Sequence, residues 1–127
     1  MVKSDAGSAK SAAGSLQFAL SSVDMKLVTG DAHTEWMGYL NQMKSTTEAA
    51  VGAKRLEDIR QAFSAMAAPL AGAIKRFGGN EAELYLQHCP MAFNNAGGDW
   101  LSDVAAVRNP YFGDRMLKCG RVMETIE

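Results

Sequence analysis

Leu16, Leu20, Val23 and Leu27 recur at intervals of four, three and four residues, the spacing of one helical face. Thr29-Gly30-Asp31 ends that stripe, since Gly30 supplies a left-handed cap and Asp31 can cap the next helix. Trp36, Leu40, Met43, Thr47 and Ala50 form a second stripe, with Gly52 at its end. Leu56, Ile59, Phe63, Met66, Leu70, Ile74 and Phe77 form the third and longest, closed by Gly78-Gly79. Pro69 lies inside it. Proline lacks an N–H and clashes with the preceding turn, which predicts a kink or break near residues 65–69.

The last third changes character. Glu83 to Gln87 reads as a short extended segment, and Asn94-Asn95-Ala96-Gly97-Gly98 as turns. Trp100, Leu101 and Val104 are expected to anchor this region onto the helices. Asn109-Pro110 is a helix-start signal, with Asn as N-cap and Pro at the first helical position, and Gly120 stands where a helix of Pro110 to Cys119 would end. Residues 1–11 are mostly Ser, Gly, Ala, Lys and Asp and read as a flexible lead-in. The expected fold is all-α: an antiparallel bundle of three long helices, a short C-terminal helix, and a motif-rich loop closing one end. Residues 12–127 are expected to form a single domain, as a chain of 127 residues implies.

Charge narrows the function. Thirteen basic and fourteen acidic residues leave a formal charge of −1, which carries no electrostatic footprint for nucleic acid or an anionic membrane. No apolar run approaches the ~18 to 20 residues that span a bilayer, so no transmembrane segment is expected. Residues 1–8 hold no apolar signal-peptide core, which leaves a cytoplasmic chain or an exported one without its signal.

Sulfur carries the candidate chemistry. The chain has two cysteines and eight methionines. Cys89 and Met91 flank Pro90, whose ring fixes its own φ and biases Cys89 towards extended geometry. Met116 and Cys119 are three residues apart and share a face of the expected last helix. If the loop meets that helix, two thiols and two thioethers converge. Such donors select Cu(I) and similar ions, whereas Zn is held more often by Cys and His. His88 can join the site or face away, and Met123 is a further candidate one turn beyond Cys119. The same residues also fit a Cys89–Cys119 disulfide, or inert buried thiols and methionines that only fill core.

Longer strings add a resemblance. Tyr85-Leu86-Gln87-His88-Cys89-Pro90-Met91-Ala92 resembles the Y-x-x-x-C-P-M-A signature of a bacterial envelope domain of initially unknown function. Trp100-Leu101-Ser102 is similar to its W-L-S element. Asn109 to Gly120 is similar to its N-P-Y-F-G-x-x-M-L-x-C-G ending, and Arg60 to Phe63 more weakly to its R-x-x-F segment. The resemblance covers about residues 12–127. It implies an exported, periplasmic protein, alone or fused to periplasmic adaptors of heavy-metal efflux pumps of the resistance-nodulation-division type. It further implies Cu(I) or Ag(I) binding by Cys89, Met91, Met116 and Cys119, as carrier or sensor, with an adaptor or pump subunit as partner.

Two other classes stay open. A disulfide-stabilised helical interaction module needs no metal, and Trp36 or Trp100 at the surface would favour it. A thiol-dependent enzyme would need a base beside Cys89. Adjacent residues of an extended chain point apart, however, which argues against His88, and His33 is the one other histidine. No nucleophile elbow, phosphate-binding glycine loop or paired catalytic carboxylate motif is present, and no enzyme is expected.

Overall fold

The structure is a computed structural model that describes residues 4–23, 29–78, 80–113 and 115–127. Three long helices come first: α1 (Ala6–Ser21), α2 (Gly30–Gly52) and α3 (Leu56–Phe77). The remainder holds β1 (Leu84–Cys89), a left-handed turn over Ala92–Asn95, β2 (Gly98–Ser102) and β3 (Arg121–Ile126). The strands form an antiparallel sheet of order β2-β1-β3. The chain is therefore not all-α: a helical layer carries a three-stranded sheet.

Helices α2 and α3 follow the second and third stripes, but α1 stops at Ser21, so Val23 of the first stripe lies past it, and Gly30 opens α2 instead of capping α1. Leu20, Leu40, Met43, Met66 and Ala73 are buried together, with Leu16, Trp36, Phe63 and Leu70 packed around them. The stripe position Leu27 and the closing Gly79 lie outside the described residues. Helix α1 begins at Ala6, inside the stretch expected as lead-in. Asp5 caps it, its carboxylate accepting from the Ser8 amide at 3.1 Å, and the alanines that follow are the best helix formers. Helix α3 runs through Pro69 without the expected break. Ala65, whose carbonyl loses its usual donor there, is exposed, and Pro69 itself is buried. No helix among the described residues is long and apolar enough to cross a membrane.

The expected extended segment over Glu83 to Gln87 is largely β1. The expected helix from Pro110 to Cys119 does not form; the described residues there are bends and turns. Trp100 is buried and Leu101 half-buried, but Val104 is 46% exposed and anchors nothing with its side chain. Helix α3 lies against β2. The Asp99 amide donates to Ser64 Oγ of α3 at 3.1 Å, and the Tyr111 hydroxyl donates to the Asp99 carbonyl. The outward backbone groups of this edge residue are thus satisfied, which blunts the edge against pairing with another chain.

Candidate functional site

A second core cluster lies on the sheet and contains Cys89, Ala92, Trp100 and Tyr111, with Phe63, Phe93, Val107, Phe112 and Cys119 against it. Phe63 of α3 belongs to the surroundings of both clusters and joins the bundle to this end.

Cys89 is the last residue of β1, where Pro90 ends pairing because it has no N–H to give. Alternation along β1 turns Gln87 and Cys89 to one face, and both are fully buried. Cys89 stands opposite Gly98. A Cβ at Gly98 would lie 2.9 Å from ring carbons of Phe93 and Tyr111, so only glycine admits those rings beside the thiol. The intervening loop holds Phe93, Asn94 and Asn95 at φ of 54°, 56° and 69°. Asparagine tolerates this left-handed region; phenylalanine does so at a cost. The Phe93 ring packs on Tyr111 at 4.9 Å between centroids, and the Gly97 amide donates to the Ala92 carbonyl at 2.9 Å.

Buried polar groups bring the second motif onto this face. Trp100 Nε1 donates to Gln87 Oε1 at 2.7 Å, and Gln87 Nε2 donates to the carbonyls of Val104 and Ala105. Asn109, also fully buried, accepts from the Tyr111 amide through Oδ1 and donates through Nδ2 to the Cys119 carbonyl, both at 2.8 Å. Its side chain closes an Asx turn and ties down Cys119 instead of starting a helix. The Cys119 amide donates to the Met116 carbonyl at 3.1 Å, so Met116 and Cys119 share a single turn. Gly120 follows at φ 137°, and a Cβ there would meet Trp100 Cη2 and the His88 carbonyl oxygen at 2.9 Å.

This frame places Cys89 Sγ and Cys119 Sγ 3.0 Å apart, both as free thiols. Cys89 is sealed, whereas Cys119 is partly exposed. The thioethers stand differently. Met91 is 47% exposed just past Pro90, and Met116 is half-buried. Met123 is exposed on β3, its Sδ accepting from Arg121 Nε at 3.2 Å. His88 faces away from Cys89 by strand alternation, and its Nδ1 lies 2.6 Å from Asp99 Oδ1. Burial raises the Tyr111 phenol far out of its ordinary range, so it serves as a neutral donor.

The hydrogen bond to Cys89 raises the Cys119 thiol pKa, with burial and the Cys89 charge acting in the same direction. The fold therefore binds this proton more tightly than the unfolded chain does. That contribution to stability is complete below the unfolded thiol pKa, about 8.5, and is lost as pH rises through the higher folded value. We expect the reduced, metal-free protein to unfold at lower urea at pH 9.5 than at pH 7.5. Cys119→Ser should flatten that difference; an unchanged pH slope would contradict it.

Reading the sequence missed Gln87, Gly98, Tyr111 and Gly120 as parts of the frame. The signal available was Asn109 two residues before Tyr111, which fits an Asx turn as well as a helix cap. Among known proteins, the model of a family described as a protein of unknown function, DUF3347, matches residues 1–82. That match covers the three helices and ends before β1, so Cys89, Met91, Met116 and Cys119 lie beyond it. No curated protein and no solved structure matches.

Proposed function

This chain belongs to the DUF3347 family, and we propose that it is a soft-metal binding protein whose cargo is Cu(I) or Ag(I). The observation that carries the reading is the contact between two free thiols 30 residues apart in sequence, at 3.0 Å, within an aromatic core cluster. Two sulfurs on one ion with bonds of about 2.3 Å stand about 3.8 to 4.6 Å apart, so the pair must part by about 1 Å to share an ion. Thiolates are soft donors, and Met91 and Met116, two and three residues from a cysteine in the chain, are the candidate soft neutral ones. The protein acts in metal resistance as a carrier or sensor. Its place in the bacterial envelope, and its partner in a heavy-metal efflux adaptor or pump subunit, rest on the motif resemblance alone.

The test is titration of reduced protein with Cu(I) against a chelating competitor, where one ion per chain is the expected result. No competition with the chelator would sink the proposal. Because thiols must lose protons to bind, affinity should rise with pH. Replacing Met91 and Met116 together with Leu conserves approximate volume and should cost less than about 1.5 kcal/mol in stability. Thiolates bind more strongly than thioethers, so Cu(I) affinity should fall only modestly while preference over Zn(II) narrows. Equal Cu(I)/Zn(II) preference in parent and variant would remove both methionines from the assignment.

The metal-free interaction module has less support. Trp100 is buried, and Trp36 is half-buried against Phe77, with ring centroids 5.6 Å apart.

A further inference from the structure

The two thiols differ in access, and that difference has chemical consequences. Cys89 has no exposed surface and is enclosed by Ala92, Trp100 and Tyr111, whereas Cys119 is partly exposed on a turn. A small disulfide from solvent can reach Cys119 and cannot reach Cys89. The sulfurs are 3.0 Å apart, and a bond needs them about 1 Å closer, at ~2.05 Å. Cys89 sits at the end of a strand paired on both sides, while Cys119 is held by the Asn109 amide and one turn bond. The closing movement therefore falls on Cys119.

We propose that Cys119 is the entry thiol of a reversible dithiol–disulfide couple with Cys89, with a low-molecular-weight disulfide as oxidant, and that closing the bridge shuts the soft-ion site. The gating half rests on the metal reading above; the exchange half does not.

The steps balance through two exchanges. Cys119 gives its proton to water, a step that its raised pKa slows, and its thiolate attacks one sulfur of the small disulfide. The S–S bond breaks, and one small thiolate leaves and takes up a proton. Cys119 is then a mixed disulfide, its adduct sulfur facing solvent and its own sulfur beside Cys89. Cys89 gives its proton to water, attacks the Cys119 sulfur and expels the second small thiolate, which takes up a proton. Two protein thiols have lost two electrons, and one small disulfide has become two thiols. Bridged sulfurs carry no negative charge and are poor ligands, so bridge and ion exclude each other.

The experiment uses the reduced, metal-free chain with oxidised glutathione. The parent should lose both thiols, lose the mass of two hydrogens and keep no adduct. Its melting temperature should rise by about 10 °C, as closing a loop of this length implies. Cys89→Ser should stop at a glutathione adduct on Cys119. Cys119→Ser, when folded, should react more than about tenfold slower than Cys89→Ser, and the gap should vanish in denaturant, where access is equal. Circular dichroism checks that each variant folds. Equal reactivity of the folded variants, or an adduct that persists on the parent, would overturn the exchange. Ag(I) bound by the bridged protein as tightly as by the reduced one would overturn the gating. If the exchange proceeds and reduced protein binds neither Cu(I) nor Ag(I), the metal reading falls and the thiol couple stands.

Discussion

Replacing Cys89 and Cys119 together with Ser is expected to weaken Cu(I) binding by more than the ~10- to 100-fold that loss of an outer partner costs a metal site. A serine hydroxyl stays protonated at neutral pH and is a hard oxygen donor, so the variant loses both charge and softness. Each single variant keeps one thiolate and should fall between parent and double variant. Stability moves as well. Cys89 is fully buried in an apolar cluster, and a hydroxyl there costs about 1 to 3 kcal/mol if it finds no partner. The helical signal should persist, because the first core cluster contains neither cysteine. The readout is competition with a Cu(I) chelator, run beside circular dichroism. A folded double variant that competes as well as the parent would remove the thiols from the site.

Helices α2 and α3 were legible because their stripes are long, although α3, packed on both α2 and β2, also buries Ala62, Ala67 and Ala71 outside its stripe. Leu40, Met43, Thr47 and Ala50 are buried along α2, and Ile59 and Met66 along α3, at positions the spacing marks. β1 was legible as an extended segment over Glu83 to Gln87, but its membership of a sheet was not. Its residues Leu84 to His88 are half-buried on one face and half-buried or buried on the other, so no clean alternation of apolar and polar positions appears. β3 hides further. Arg121 to Thr125 are exposed and only Ile126 is buried, so the segment reads as a polar tail until β1 pairs with it. The absent C-terminal helix shows one signal with two outcomes. Asn109-Pro110 can start a helix, but the Asn109 side chain bonds the Tyr111 amide and the Cys119 carbonyl, and these longer-range ties win. At the site, the two motifs were readable as sulfur carriers, and their contact at 3.0 Å came from the buried frame of Gln87, Trp100 and Asn109.

Asn109→Ala tests that frame and should be among the most damaging polar substitutions in the chain. The side chain is fully buried and serves two backbone groups at 2.8 Å, the Tyr111 amide and the Cys119 carbonyl. Truncation leaves both without a partner, at about 1 to 3 kcal/mol each. The Asn109 amide still reaches the Leu117 carbonyl, so part of the loop is retained. We expect a loss of about 2 to 5 kcal/mol in urea unfolding, against less than about 1 kcal/mol for Lys75→Ala, which breaks only the exposed pair with Glu124. Asn109→Asp separates stability from positioning. It keeps the acceptor for the Tyr111 amide but turns a carboxylate oxygen towards the Cys119 carbonyl, which repels it. Folded Asn109→Asp should therefore bind Cu(I) roughly 10- to 100-fold more weakly, as expected when a ligand loses the group that orients it. Cu(I) affinity equal to that of the parent would show that the Asn109–Cys119 bond supports the loop without setting the distance between the two sulfurs.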